Sequence, residues 1–303
     1  MRYPKLIVLL FIIISFSGNG QSLFENDSVF NKKRAIGVSL FDAAAWGGSI
    51  GGLWFVWYDD FAKESFHTFN DNHEWQQMDK VGHMVTSWNF ARGCGDLFEW
   101  SGINHRAASV IGAGYSIAYT STFEILDGYS QDWGFSWGDV AYNSLGSLTY
   151  WSQEFIWNHQ YVKMKFSAHQ SGLADYRPEV LGSDFLSRTF KDYNGQTYWL
   201  SFNPFTWYHS QGKIPAWINL SLGYSIENQL YGDGSVYVTQ TGSTQLNFVP
   251  YRQYYFSLDI DFEEIPTQKP WLKFVFRSLN IFKVPFPALE FSEHGVKFRP
   301  FYF

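Results

Sequence analysis

The hydrophobic period of the chain changes near its middle, and this change most limits the folds that are open to it. Up to about residue 165 apolar residues recur at helical spacing, whereas from about residue 195 they alternate with polar residues. A helical period predicts amphipathic helices, and a period of two predicts half-buried strands. The sequence therefore predicts an α+β protein, with a helical bundle over residues 36–165 followed by an antiparallel, aromatic-rich β region over residues 166–303.

The helical half contains about four apolar, glycine-rich segments. They cover residues 36–58, 80–93, 103–127 and 137–158. Small residues repeated along a helix let its neighbours approach closely, as in membrane bundles. The first segment carries Gly47, Gly48, Gly51 and Gly52 along its length. We expect a compact bundle with its polar groups turned inward, lying either in lipid or beside it.

Two segments of the second half, 217–226 and 256–262, alternate regularly and predict amphipathic strands. Residues 198–202, 231–239 and 288–298 are weaker strand candidates. Residues 271–282 carry an apolar stripe, with Lys273 and Arg277 off that stripe and prolines on both sides of the segment. Such an amphipathic helix either lies flat in a lipid interface or docks onto the sheet.

The amino-terminal residues 1–20 predict a secretory signal peptide. A basic start is followed by an apolar run over residues 6–16 and by small and polar residues up to Gly20, where we expect cleavage. The run is shorter than the roughly 20 residues that span a bilayer, although an uncleaved anchor is the alternative. The single cysteine, Cys94, lies far from this leader, so we expect neither a lipid-anchored amino terminus nor an internal disulfide.

The composition favours contact with membrane lipid. Aromatic residues make up 21% of the chain and charged residues only 17%, whereas soluble domains carry about a quarter charged residues. Tryptophan and tyrosine collect where an apolar phase meets water. Together with the leader and the aromatic carboxyl end, this predicts an exported protein of the periplasm or outer membrane, with the inner membrane as the alternative. The net charge of -6 predicts no nucleic-acid partner.

Three motifs place charged groups on apolar helices at one-turn spacing. They are Asp79-Lys80-x-x-His83, Glu124-x-x-Asp127-Gly128 and Ser136-x-x-Asp139-x-x-x-Asn143-x-x-Gly146. Helix capping would account for Asp79 and Ser136 at helix starts and for Gly128 after a helix end. It does not account for His83 or Glu124, because an unpaired ionisable group inside an apolar stretch costs several kcal/mol. Pairing of His83 with Glu124 or Asp139 would remove that cost.

Two functions fit these motifs. In the first, the protein is a structural or accessory envelope component whose polar cluster fixes helix packing and whose partners are membrane lipid or an outer-membrane protein. In the second, an enzyme modifying a lipid or glycolipid uses the cluster for acid–base chemistry, with a divalent metal as a potential cofactor. The catalytic candidates are His83, Glu124, Asp127 and Asp139, and the substrate-binding candidates are Lys80, Arg106 and Asn143.

The order of the three motifs resembles the YfiM-like family of periplasmic proteins of unknown function, which is similar in pattern to VanZ-like membrane proteins. The resemblance covers roughly residues 36–155. It implies an envelope location and a helical core, and it implies no reaction. The chain departs from the family in two ways. Members are often described as lipoproteins, whereas this chain has no lipobox cysteine at the end of the leader, and the strand-rich second half resembles extensions found in proteins from Bacteroidetes.

Overall fold

The architecture is taken from a computed structural model that describes residues 24–53, 64–131, 133–204, 215–241 and 243–302. The expected leader over residues 1–20 and the end of the first apolar segment, residues 54–58, lie outside these ranges. Within them, helices dominate the first half and an antiparallel sheet the second. The α+β class with an amino-terminal helical region is therefore confirmed.

Four long helices make up the amino-terminal region. They are α1 (Lys32–Leu53), α2 (Met78–Trp100), α3 (His105–Asp127) and α4 (Trp137–Trp157). Helices α2, α3 and α4 pack against one another around Val85, Trp88 and Tyr150. None of the helices in the described part of the chain combines the length and the apolar content that crossing a membrane requires.

Close helix approach occurs at glycines other than those of the first segment. An added Cβ on Gly47, Gly48, Gly51 or Gly52 would meet no described atom within 4 Å. A Cβ on Gly112 of α3 would instead lie 2.3 Å from the Ala91 carbonyl oxygen of α2, and one on Gly146 of α4 would lie 2.1 Å from the Met84 carbonyl oxygen. Helix α1 contacts the bundle through aromatic side chains, with the Trp46 ring 5.1 Å from that of Tyr115, so its glycines face outward.

The carboxyl-terminal region contains a six-stranded antiparallel sheet in the order β1-β2-β3-β6-β7-β8 and a separate hairpin, β4-β5. The strands are β1 (Val162–Ala168), β2 (Gln196–Phe202), β3 (Ile218–Glu227), β4 (Tyr237–Thr241), β5 (Thr244–Phe248), β6 (Tyr251–Ile260), β7 (Phe286–Ser292) and β8 (Gly295–Tyr302). In the described ranges three short helices accompany them, α5 (Pro178–Leu181), α6 (Phe185–Lys191) and α7 (Pro270–Leu279).

Several parts of the β region differ from the strand pattern expected from the sequence; the candidate 231–239, for example, is a strand only from Tyr237. Strand β1 begins at Val162, within the segment expected to be helical, and the candidate strand 288–298 is a hairpin that turns at Glu293 and His294. In β1 the two lysines, Lys163 and Lys165, are buried. The hydrophobic pattern does not predict this strand, because lysine is normally expected on a solvated face.

The sheet is polar on its sealed face and apolar on its outward face. One cross-strand row, Ser201, Ser221 and Ser257, is fully buried. The adjacent row is apolar and, from β2 to β8, at least 38% exposed at each position, namely Leu200, Leu222, Phe256, Leu289 and Phe298. Its continuation on β1, Met164, is buried. Behind the serines, Lys165 Nζ lies 2.7 Å from Asp259 Oδ2, and neither side chain is exposed. A sheet of a water-soluble domain has the opposite polarity, with its apolar face on the core.

Helix α7, the predicted amphipathic segment, is attached by charge and leaves its apolar side open. Arg277 pairs with Asp96 at the end of α2, and its Nη1 donates to Glu263 Oε2 at 2.6 Å. The helix therefore docks onto the body through Arg277 and through the Phe276 ring, which stacks on Phe262 with the centroids 6.0 Å apart, while Trp271 and Phe274 stay about half exposed.

Candidate functional site

A left-handed turn positions the start of α2. Trp75, Gln76 and Gln77 all have positive φ, between 46° and 66°, a conformation that costs roughly 1–2 kcal/mol per non-glycine residue. Long-range hydrogen bonds hold the turn, because the Trp75 N–H donates to the Gly232 carbonyl at 2.7 Å and the Tyr224 hydroxyl donates to the Gln76 carbonyl. The turn directs the first residues of α2 towards α4.

Lys80 is the centre of a buried ionic cluster. Its side chain is 1% exposed, and Nζ lies 2.7 Å from Asp71 Oδ1, 2.7 Å from Asp139 Oδ1 and 3.0 Å from Asp79 Oδ2. Asp79 follows the helix start at Met78 and pairs with Lys80, so it does not cap α2. Three carboxylates compensate one ammonium group, which is what a buried charge requires.

His83, one turn after Asp79, faces carboxylates from three helices. Nε2 lies 3.6 Å from Asp79 Oδ1 and 3.5 Å from Asp139 Oδ1, and Nδ1 lies 3.6 Å from Glu124 Oε1. The imidazole remains 31% exposed, whereas Glu124 is 3% exposed. His83 therefore connects the buried carboxylates with the surface of the bundle.

Asn143 of α4 organises the other side of the imidazole. Its Oδ1 accepts from Ser87 Oγ at 2.8 Å and lies 3.1 Å from His83 Nδ1, and its Nδ2 donates to Glu124 Oε1 at 3.5 Å. Gly146 lies one turn further along α4, where the backbone of α2 passes closely at Met84. That close passage brings His83 and Lys80 of α2 opposite Asn143 and Asp139 of α4. Ser136 caps α4, with its Oγ accepting from the Asp139 N–H at 3.1 Å.

Burial and facing charges set the pKa values of the cluster. Burial disfavours the imidazolium of His83, but the facing carboxylates, Asp79 first, outweigh burial and raise its pKa to about 10. Burial raises the pKa of Glu124 to about 8 and that of Asp139 to about 7, against the opposing charge of His83. Burial also opposes ionisation of Asp79, yet its interactions with His83 and Lys80 hold its pKa well below the ordinary range. The cluster therefore has carboxyl groups that exchange protons near neutral pH.

The structure brings five of the seven candidate residues into direct contact and leaves two apart from them. His83, Glu124, Asp139, Lys80 and Asn143 form the cluster. Asp127 is half-buried one turn beyond Glu124, and its charge adds to the raised pKa of that carboxyl. Arg106 lies at the opposite end of α3, where its guanidinium is 5.7 Å from the Phe155 ring centroid.

Two members of the cluster are absent from the sequence-based candidates. Asp71 lies in the loop before α2, and its Oδ1 also accepts from Ser136 Oγ at 2.7 Å. The Tyr193 hydroxyl donates to Asp79 Oδ1 at 2.7 Å across 114 residues of sequence. Neither residue shares a helix period with the motifs, so only the three-dimensional arrangement identifies them.

The segment of the chain that matches a known family contains most of this cluster. Residues 67–151 match the family DUF2279, described as a predicted periplasmic lipoprotein. This segment is less than a third of the chain, and it contains every cluster residue named above except Tyr193. No curated protein and no solved structure matches the chain.

The family description supports an exported protein of the periplasm or outer membrane, whose function is uncharacterised. The description does not mention the YfiM-like or VanZ-like proteins, so it does not support that part of the expected resemblance. With regard to the lipoprotein part of the description, the single cysteine of this sequence, Cys94, is buried within α2.

Proposed function

We propose that this chain is an accessory or structural protein of the cell envelope that rests on the outer membrane through its β region. The observation that carries the proposal is the inverted polarity of the six-stranded sheet. In the described residues, buried polar and charged side chains outnumber buried apolar ones by about two to one. Large apolar side chains are correspondingly exposed over the outer surface, and contiguous apolar patches of this kind mark interaction sites.

Lipid is the partner that best fits the outward face. The row from Leu200 to Phe298 crosses five strands without a charged residue, and adjacent strands lie about 4.8 Å apart, so the row extends for roughly 20 Å. The neighbouring row adds Tyr254, Phe291 and Val296, all exposed. Moving such side chains from water into an apolar phase is favourable by about 25 cal/mol per Å².

Helix α7 supports the same orientation. Its exposed Trp271 and Phe274 extend the apolar surface, while Lys273 is exposed on the same helix. Aromatic and basic residues on one short helix suit the boundary between acyl chains and phosphates. The family description, which concerns periplasmic proteins, supports the exported location that this contact requires.

The buried cluster supports a structural role for the helices. Lys80, Asn143, Glu124 and Asp139 are each at most 5% exposed and have polar partners within the bundle. A satisfied buried network specifies one packing arrangement without any catalysis. The order of the three motifs further supports kinship of the helical region with the YfiM-like and VanZ-like proteins.

The membrane proposal is tested by flotation of the purified protein with vesicles of phosphatidylethanolamine and phosphatidylglycerol. We expect the wild type to float, and the double variant Phe256→Ser/Leu289→Ser, a cross-strand pair on the outward face, to float at least fivefold less. The matched control is Phe185→Ser/Phe190→Ser on α6. These side chains are even more exposed, but they lie outside the sheet, and their replacement should leave flotation unchanged. Equal flotation of both double variants would contradict the proposal.

A lipid- or glycolipid-modifying enzyme is the second candidate, and the partial exposure of His83 favours it. The imidazole reaches the surface beside carboxyl groups that exchange protons near neutral pH, an arrangement that suits general acid–base chemistry. Its test is the pair His83→Gln and Glu124→Gln in cells. Normal protein level with an altered lipid profile would favour the enzyme, whereas an unaltered lipid profile or loss of the folded protein would favour the structural role.

A further inference from the structure

We propose that Asp79, His83 and Asp139 are the protein ligands of a divalent metal ion of the class that includes Zn²⁺. One ligand atom from each of these residues lies within 4.8 Å of the other two. One imidazole and two carboxylates are a ligand set that borderline divalent ions accept. This inference is independent of the membrane contact proposed above.

The distances from His83 Nε2 to the two carboxylate oxygens match the spacing between ligand atoms around a metal ion better than the length of a direct hydrogen bond. Zn–N and Zn–O bonds of about 2.0–2.2 Å place neighbouring ligand atoms of a tetrahedron roughly 3.3–3.6 Å apart. His83 Nε2 lies 3.6 Å from Asp79 Oδ1 and 3.5 Å from Asp139 Oδ1, whereas a direct hydrogen bond measures about 2.7–3.2 Å. The carboxylate–carboxylate edge, at most 4.8 Å, shortens when an ion draws the two Asp side chains together.

A second histidine of this chain shows what direct pairing looks like. His105 also lies between two carboxylates, but Nδ1 is 2.9 Å from Glu99 Oε2 and Nε2 is 2.7 Å from Glu154 Oε2. These are hydrogen-bond lengths, and they leave no room for an ion. The two sites have the same chemistry and differ in spacing, so His105 serves as an internal control.

The hydrogen bonds behind His83 prepare it as a ligand. Because the Ser87 hydroxyl donates to Asn143 Oδ1, that oxygen acts as an acceptor, and His83 Nδ1, at 3.1 Å, is the donor. When an ion displaces the proton on Nε2, the remaining proton stays on Nδ1 and the imidazole presents the lone pair of Nε2 towards Asp79 and Asp139. Metal-bound histidines commonly have such a partner on the other ring nitrogen.

The charge of the cluster leaves room for a divalent ion. Asp71, Asp79, Asp139 and Glu124 supply four carboxyl groups, whereas Lys80 supplies one fixed positive charge. Lys80 contacts Oδ2 of Asp79, and the Oδ1 atom of that residue faces His83. Lys80 Nζ also donates to Asp139 Oδ1, the oxygen that faces Nε2, at 2.7 Å. A bound ion would therefore share that oxygen with the ammonium group, and the partial exposure of His83 gives the ion access from the surface.

The test uses the full purified chain after treatment with a chelator and removal of the chelator. Isothermal titration with Zn²⁺ and visible absorption with Co²⁺ should show one ion per chain, with a Co²⁺ spectrum of four-coordinate geometry. His83→Gln and Asp139→Asn should weaken binding at least tenfold, and Asn143→Ala should weaken it about 10–100-fold, as expected for a residue that orients a ligand. His105→Gln should bind as the wild type does.

Three results would overturn the proposal: no uptake by the wild type, unchanged uptake by His83→Gln, or equal losses in His83→Gln and His105→Gln. Circular dichroism of each variant without metal reports its folding. If the variants do not fold, the wild-type protein still decides the question, because the nitrogen chemical shifts of the His83 ring should change on Zn²⁺ addition and those of His105 should not. These measurements need no lipid, so their outcome does not depend on the flotation result.

Discussion

At the scale of single residues, Lys80 supplies the ammonium group at the centre of the buried ionic cluster. Its ammonium group is almost fully buried among Asp71, Asp79 and Asp139. Removing one partner of a buried ionic group leaves the others uncompensated, at a cost of about 3–5 kcal/mol.

We therefore expect Lys80→Met to lower the free energy of unfolding by about 3–5 kcal/mol, measured by urea denaturation at pH 7. The matched control is Lys273→Met, which removes an exposed lysine of α7 and should change stability by no more than about 0.5 kcal/mol. A loss below about 1 kcal/mol in Lys80→Met would show that the ammonium group is not the centre of the cluster.

The pH dependence of stability follows from the raised pKa values in the cluster. The pKa of Glu124 rises from 4.5 to about 8 on folding, so its protonated form favours the folded state and this contribution is lost as pH rises through that range. The pKa of His83 rises from 6.5 to about 10, so its contribution is complete below 6.5 and is lost as pH rises towards 10. Both groups make the protein less stable at alkaline pH.

Glutamine at position 124 imitates the protonated carboxyl group. Glu124→Gln should match the wild type within about 1 kcal/mol at pH 4, where the carboxyl group is protonated in the folded state and largely so in the unfolded state, and should exceed it by about 1 kcal/mol or more at pH 9, since one unit of pKa shift corresponds to about 1.4 kcal/mol. Thermal and urea unfolding at the two pH values measure this crossover. Glu154→Gln is the contrast, because Glu154 accepts from Gln160 and pairs with His105, and it should lose stability at both. A Glu124→Gln variant less stable at pH 9 would contradict the raised pKa.

At the scale of secondary-structure elements, the spacing between α2 and α4 decides whether the cluster forms. The backbones meet where Gly146 faces the Met84 carbonyl. The methyl group of an alanine there cannot be accommodated unless the helices separate, and overpacking of this kind costs about 1–3 kcal/mol.

Gly146→Ala should accordingly destabilise the protein by about 1–3 kcal/mol and weaken the contact between His83 and Asn143, seen as a shift of the His83 ring resonances. Gly114→Ala on α3 is the control, because a Cβ there meets no described atom within 4 Å and alanine is the better helix former by up to about 1 kcal/mol. Stabilisation by both substitutions would mean that helix propensity, rather than helix contact, governs these positions.

The elements also show why the sequence predicts some features and not others. The periods of α2, α3 and α4 are local properties, so their positions and the inward motifs are readable from the sequence. The sequence suggests Arg106 as a substrate-binding candidate beside these motifs, yet 18 residues of helix place it about 27 Å from Glu124. Conversely, Asp71 and Tyr193 reach the cluster from a loop and from the β region, and no local pattern connects them to it.

At the scale of the whole molecule, the inverted sheet makes accessibility along a single strand the sharpest test of the lipid contact. On β6, Tyr254, Phe256 and Leu258 face outward, while Gln253, Tyr255, Ser257 and Asp259 are buried. The chain has one native cysteine, Cys94, which is buried, so a Cys94→Ala background allows single nitroxide labels from 253 to 259. Because successive side chains of a strand point to opposite faces of the sheet, the accessibility of the labels should alternate from one residue to the next along β6.

With vesicles present, labels at 254, 256 and 258 should collide often with dissolved oxygen and rarely with a water-soluble nickel chelate, while labels at 253, 255, 257 and 259 should collide rarely with both. Without vesicles, the same three outward positions should become accessible to the nickel chelate, because water then covers the apolar face. This exchange of collision partners requires lipid on the outward face. Equal nickel access with and without vesicles would contradict a lipid contact on this face.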